Sequence, residues 1–131
     1  GAFFGCASLP SITIPSGVTS IADWAFGNCF SLPSITIPSG VTSIGEYAFL
    51  SCERSTSITI PSGVTSIGYH AFYGCSRLTS ITVNATTPPT LGEEAFDYTN
   101  NSPIYVPSAS VNAYKSASGW SDYASRIQAI T

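Results

Sequence analysis

The chain has 131 residues, 44% of them hydrophobic and only 8% charged, which suits one domain with a real core and argues against disorder. Four basic against seven acidic residues leave a net charge of −3, so no basic surface exists to neutralise nucleic-acid phosphates. No apolar run approaches the roughly 18 residues of a membrane span, and polarity comes instead from 36 Ser and Thr residues.

Self-similarity at a fixed period sets the architecture. Cys6, Cys29, Cys52 and Cys75 are spaced by 23, as are Phe3, Phe26, Phe49 and Phe72, and Ile12, Ile35, Ile58 and Ile81. Phe96 follows one residue late. The unit reads A-F-x-x-C-x-x-L-x-S-I-T-I-P-S-G-V-T-S-I-G-x-x, in three full copies, a fourth that degrades after Val83, and a fifth Ala-Phe pair at Ala95 and Phe96. In each unit the segment equivalent to Leu9–Ile14 alternates as a short half-buried strand does, with Ile12 and Ile14 inward. Pro15 removes a backbone donor and ends the strand, and Ile-Pro-Ser-Gly places Pro and Gly where a type I turn favours them. Val18 and Ile21 return to the core, and the spacing of Ala25, Phe26 and Cys29 predicts a short helical or 3₁₀ turn. No coil buries its inner face alone, so coils stack with strands roughly 4.8 Å apart in a parallel sheet. The phenylalanines then form a column of rings, each contributing roughly 1.5–3 kcal/mol by burial.

The fourth unit runs through Asn84-Ala-Thr-Thr-Pro-Pro89, where consecutive prolines prevent regular pairing, before Leu91 and Phe96 rejoin the spine. Ile104-Tyr-Val106 reads as a last strand ended by Pro107, and Ser108 or Ser110 is placed to cap a helix carrying Val111, Tyr114 and Ala117. Gly119 stops that helix. A second short one is expected from Ser121 or Asp122, with Tyr123, Ile127 and Ile130 on one face and Trp120 at the junction. At the other end the chain has no Met and no signal peptide, and begins at Ala2-Phe3, midway through a unit. Gly1 reads as a residue left by tag removal, and the parent protein is expected to be longer. An uncapped end exposing Phe3, Phe4 and Leu9 is expected to favour self-association.

The repeated string resembles the BspA-like leucine-rich repeat, a family of bacterial cell-surface proteins found also in some parasitic protists, over roughly residues 2–97. The stretch Tyr105–Tyr123 is similar to the C-terminal cap of many of its members. Two departures stand out. Ser55 replaces the Leu of the third unit, and Gly17, Gly40 and Gly63 occupy the place where common leucine-rich repeats carry an Asn or Cys ladder. The resemblance implies an α/β solenoid, a right-handed coil of short parallel strands with a 23-residue period and a strand-helix cap. About four repeats span 1–97 and the cap spans 98–131, as the C-terminal part of an exported protein.

The four cysteines invite a disulfide reading, but equivalent positions on successive coils have parallel side chains, which favours buried free thiols; bridged or metal-linked thiols are the other readings. No Cys-x-x-Cys or Cys-His pair marks a zinc site, and no cofactor is expected. His70, the only histidine, stands where other units carry Trp24 and Tyr47. Glu46, Glu93 and Glu94 form no pair flanking a substrate, and no Gly-x-Ser-x-Gly elbow occurs, so no catalytic residue is assigned. Arg54 with Glu53, and Arg77, read as solvated loop charges. Asn84-Ala-Thr86 and Asn100-Asn-Ser102 match glycosylation acceptors, relevant in a eukaryotic source.

On the strand face opposite the core, Ser11 and Thr13, Ser34 and Thr36, Ser57 and Thr59, and Ser80 and Thr82 form two hydroxyl columns. In leucine-rich repeats this concave face is commonly the binding surface, so a glycan or matrix-protein contact is one reading and a solvated scaffold the other. Flat threonine arrays of ice-binding solenoids are a third. Trp24, Tyr47 and His70 form an aromatic column interleaved with Asp23, Glu46 and Tyr69, either contacting sugars or proteins or covering the Phe spine. The resemblance implies non-catalytic adhesion at the cell surface, with host or matrix proteins, other cells or glycans as partners, no nucleic acid, and no membrane insertion by this segment. Alternatives are a passive spacer presenting another domain, and an accessory module of a polysaccharide-processing protein.

Overall fold

The computed structural model describes residues 14–30, 32 and 35–130. The expectations placed on Phe3, Phe4, Cys6, Leu9, Ser11, Ile12, Thr13 and Ser34 lie outside the described residues. Among the described residues nine short strands follow in chain order: β1 (Ser20–Ile21), β2 (Ile35–Thr36), β3 (Ser43–Ile44), β4 (Ser57–Ile60), β5 (Ser66–Ile67), β6 (Ser80–Val83), β7 (Thr90–Leu91), β8 (Ile104–Val106) and β9 (Ile127–Ala129). They form two all-parallel sheets, a five-stranded one in the order β2-β4-β6-β8-β9 and a four-stranded one in the order β1-β3-β5-β7.

The five-stranded sheet is what Ser-Ile-Thr-Ile dictates. Alternation sends Ile58, Ile60, Ile81 and Val83 into the core and leaves Ser57 and Thr59 exposed on the other face. Register follows the period, with Thr36 beside Thr59 and Thr59 beside Thr82. The turn that ends each strand closes from Val18 N–H to Pro15 O at 3.1 Å, with Val41 to Pro38 and Val64 to Pro61 alike. Its frame is therefore Pro-Ser-Gly-Val, one residue later than expected. Gly thus sits at the third turn position, with φ not positive, and no Asn ladder is needed to close it.

The return segment is a second sheet, not just a connection: Ser20, Ser43 and Ser66 pair in register, as do Ile21, Ile44 and Ile67. Val83 pairs with Ile60, 23 residues back, whereas Thr90 pairs with Ser66, 24 back, so the late Phe96 traces to one extra residue within Asn84–Pro89.

The expected helical turn is also resolved differently. The N–H groups of Trp24, Phe26 and Asn28 donate across to the carbonyls of Glu46, Ala48 and Leu50 at 2.9, 2.8 and 2.7 Å. Those of Ala25, Gly27 and Cys29 close three-residue turns onto Ala22, Trp24 and Phe26. A continuous helix is blocked because two positions per coil are left-handed: Trp24 and Asn28, Tyr47 and Ser51, His70 and Gly74, and Glu94 and Tyr98, with φ between 55° and 78°. The result is a third hydrogen-bonded ladder between coils.

Inside, Phe26, Phe49, Phe72 and Phe96 stack with centroids 5.4, 5.2 and 5.4 Å apart and ring planes within 11°. Cys29, Cys52 and Cys75 are buried free thiols, and the Sγ of Cys52 and Cys75 donate to Phe26 O and Phe49 O, 3.4 and 3.2 Å away. Ser55, in the place of Leu32 and Leu78, is buried, and its hydroxyl donates to Leu32 O at 2.8 Å.

The cap completes each interrupted pattern. Trp120 continues the ring column 5.6 Å beyond Phe96. Where Phe72 N–H donates to the next coil at Ala95 O, Phe96 N–H donates to the Tyr123 hydroxyl at 3.2 Å. The helix α1 (Val111–Ser116) places Tyr114 in the core, and the hydroxyls of Tyr114 and Ser110 and the Trp120 Nε1 donate to the carbonyls of Ala85, Thr86 and Pro89. Those bonds satisfy the irregular Pro-Pro segment. Ser110 precedes α1 but makes no capping bond, since its hydroxyl is spent on Thr86. The second helix is a 3₁₀ segment from Trp120 to Arg126, kinked at Tyr123, and Ile127 belongs to β9, which pairs with β8. Ile130 is 39% exposed instead of sharing the buried face of Tyr123 and Ile127.

Candidate functional site

Two surfaces gather the residues that the sequence singles out. On the five-stranded sheet one outward row runs Thr36, Thr59, Thr82, Tyr105 and Gln128, each beside the next in register. Ser57 and Ser80 pair in a second row. The hydroxyls of Thr36, Ser57, Thr59, Ser80 and Thr82 make no hydrogen bond among the described residues, and Thr36, Ser57 and Thr59 are exposed. Other repeated threonines differ. Thr42, Thr65 and Thr79 donate to the carbonyls of Thr19, Thr42 and Thr56 on the coil before, at 3.2, 3.2 and 3.0 Å. Composition alone does not separate these two kinds, but the structure does: one fastens coils and the other faces outward unspent.

The second surface is the outer side of the turn ladder. Trp24 stacks on Tyr47 at 4.2 Å and 9°, and Tyr47 meets the edge of His70 at 5.3 Å. His70 is stacked between Tyr69 at 3.8 Å and Tyr73 at 4.3 Å, and Tyr73 meets Tyr98 edge-on at 5.1 Å. Trp24, Tyr47 and His70 thus lie in one row with the interleaved Tyr69, and the row is widened by Tyr73 and Tyr98, which occupy other repeat positions and are not marked by the period. Part of it is open to solvent: Trp24 is 37% and Tyr98 70% exposed. The fourth coil places Glu94 in the column, where His70 Nε2 meets Glu94 Oε2 at 2.6 Å. Tyr69 and Tyr73 hold their phenol protons above the ordinary tyrosine range, through loss of solvent first and then the neighbouring phenols and the Glu94 carboxylate. Trp24, Tyr47, His70 and Glu94 all adopt φ between 55° and 63°. For such side chains the left-handed region costs roughly 1–2 kcal/mol each, and the ring contacts offset part of that.

Beside the last ring, a cleft of about 810 Å³ is lined by Asp97, Tyr98, Asn100, Asn101, Asp122, Tyr123 and Arg126 among others. Two of its three charged groups, Asp97 and Arg126, are internally committed. Asp97 Oδ1 accepts the Tyr123 hydroxyl at 2.6 Å, and Arg126 donates to Ser102 O at 2.8 Å and to the Thr99 hydroxyl at 2.7 Å. Among the described residues no group of three or more His, Cys, Asp or Glu side chains is placed to hold a metal ion. Among them, too, no helix is long and apolar enough to cross a membrane.

Stacked coils with in-register parallel strands and a capped end define a leucine-rich-repeat solenoid. The model of the BspA type leucine-rich repeat region matches residues 1–118 in six copies. The chain belongs to that family, whose repeats form protein-interaction modules, are generally non-catalytic and are typically surface-associated. Comparison with curated proteins found no match.

Proposed function

We propose that this chain is a non-catalytic adhesion module of an exported, cell-surface protein, and that it meets a matrix protein, a host protein or a glycan through the outer face of the five-stranded sheet. Residues 1–97 are the contacting solenoid and 98–131 its cap. The observation that carries this reading is the in-register set of unspent hydroxyls at Thr36, Ser57, Thr59, Ser80 and Thr82. A hydroxyl row with no internal partner among the described residues, exposed at Thr36, Ser57 and Thr59, offers donors and acceptors at a fixed spacing without desolvating any ion. Family membership supports the interaction role, and the surface location rests on the family's habit. The test is an array of matrix proteins and glycans probed with the chain and with Thr36→Tyr/Thr59→Tyr. Tyr105 already occupies the same row, so the fold tolerates tyrosine there. Binding that the double variant loses, at unchanged stability, is expected; binding that survives it overturns the assignment of this face.

A further inference from the structure

Charge is distributed unevenly around the coil. Segments 22–30, 45–52, 68–75 and 92–99, which build the turn ladder, hold five of the seven acidic residues and none of the four basic ones. Asp23, Glu46 and Glu93 occupy one repeat position, next to the ring column, and Glu94 and Asp97 close its end. Glu46 and Glu93 are exposed, and their carboxylates have no partner among the described residues. The Tyr98 ring, 70% exposed, presents a face that carries negative electrostatic potential, and the carboxylates add to the same sign.

The backbone gives a second, independent indication. Of the two left-handed positions in each coil, one carries Asn28, Ser51, Gly74 and Tyr98, mostly residues suited to that conformation. The other carries Trp24, Tyr47, His70 and Glu94, of which only His is a type enriched in that region. Side chains whose backbone is held in a disfavoured region, stacked outward in a row, fit a role that uses the rings. The molecule also contains one small version of the chemistry. The Arg126 guanidinium lies 5.4 Å from the centroid of the Tyr123 ring, whose hydroxyl is bonded to Asp97.

We infer that this aromatic and acidic stripe is a docking surface for an arginine- or lysine-rich segment of a partner protein, whose cations lie beside the Glu46 and Glu93 carboxylates and over the exposed Tyr98 ring. Charge complementarity selects that occupant: a polyanion is repelled, and a neutral sugar would use the rings without needing the acids. The surface is distinct from the hydroxyl rows of the five-stranded sheet, so the two proposals stand or fall separately.

The experiment is fluorescence polarisation with a labelled peptide of alternating Arg and Gly, a matched Glu-Gly peptide, and a neutral gluco-oligosaccharide as competitor. The Arg-Gly peptide is expected to bind, the Glu-Gly peptide not, with affinity falling several-fold between about 50 and 300 mM salt. Glu46→Gln/Glu93→Gln, which leaves every ring in place, is expected to weaken binding about fivefold, and Tyr98→Ala by a similar factor. Glu53→Gln/Asp122→Asn, which removes two acids outside the stripe, and Thr59→Tyr are expected to leave it unchanged. Failure of the Arg-Gly peptide to bind, or equal loss with Glu53→Gln/Asp122→Asn, overturns the proposal. So does competition by the oligosaccharide that depends on Tyr98 and not on Glu46 and Glu93.

Discussion

Replacing Gly68 by alanine places a methyl carbon 2.6 Å from the Glu46 amide nitrogen and 2.7 Å from the Gly45 carbonyl carbon, both backbone atoms of the coil before. Ordinary contact begins at 3.4 Å, so the two coils must part by nearly 1 Å locally. They are tied there by Gly68 N–H to Ile44 O at 2.8 Å and Tyr47 N–H to Tyr69 O at 2.9 Å, and bonds of that length do not survive such a shift. Overpacking costs about 1–3 kcal/mol and each lost bond about 1 kcal/mol, giving about 3–5 kcal/mol in all. For a chain of this size that lowers Tm by roughly 10–20 °C. Gly63→Ala is the matched control. Its φ is not positive and its nearest neighbours lie at 3.7 Å, so reduced freedom of the unfolded chain makes it neutral to about 1 kcal/mol more stable. Urea unfolding of both variants reads the difference. A loss under about 1 kcal/mol in Gly68→Ala, with the m-value unchanged, refutes the close approach of coils on which the ladder depends.

Three further outcomes are expected. Phe49→Ala, whose ring is held between Phe26 and Phe72, costs about 3–5 kcal/mol because neighbours on both sides prevent collapse of the cavity; denaturant titration showing under about 1 kcal/mol contradicts the stacked spine. Cys29, Cys52 and Cys75 resist a thiol reagent until denaturant is added, then all three react. The Cys52 thiol is held well above the ordinary range by its contact with the Cys75 thiol and by burial, and protection by a disulfide instead is the contrary result. Stability declines in alkali: burial pushes Tyr114 up to about 12, above the value of about 10 in the unfolded chain. The folded state then holds a proton that the unfolded chain releases, so stability is complete below about pH 10 and falls as pH rises towards about 12. Urea midpoints equal at about pH 9 and pH 11 would argue against a buried Tyr114.

What was legible follows from which signals repeat. Phe26, Phe49 and Phe72 and the Ser-Ile-Thr-Ile strands recur every 23 residues with their alternation intact, so the spine and the five-stranded sheet could be read directly. The second sheet could not, because Ser20-Ile21 and its copies are two residues long and two residues show no alternation. The ladder of turns was read as helical because spacings of one and three are shared by both. What decides is φ at Trp24 and Tyr47, residue types that give no hint of a left-handed backbone. Ile127 and Ile130, three apart, imitate a helical face, but parallel pairing with β8 won over local periodicity. At the candidate site the hydroxyl rows were legible and their unspent state was not, since that depends on which carbonyl of the preceding coil each threonine reaches. Tyr73 and Tyr98 carry one usable signal, two more aromatics in the same stretch of the coil as the expected column.

The in-register stacking of coils underlies both surfaces, and proton contacts across the strands in solution NMR test it most directly. The predicted contacts join residues 23 apart, Thr36 with Thr59, Thr59 with Thr82 and Ile58 with Ile81, and residues 24 apart at Ser66 and Thr90. Cross-strand contacts in an antiparallel pattern, or a register shifted by one residue that turns Ile58 outward and Thr59 inward, would contradict the account.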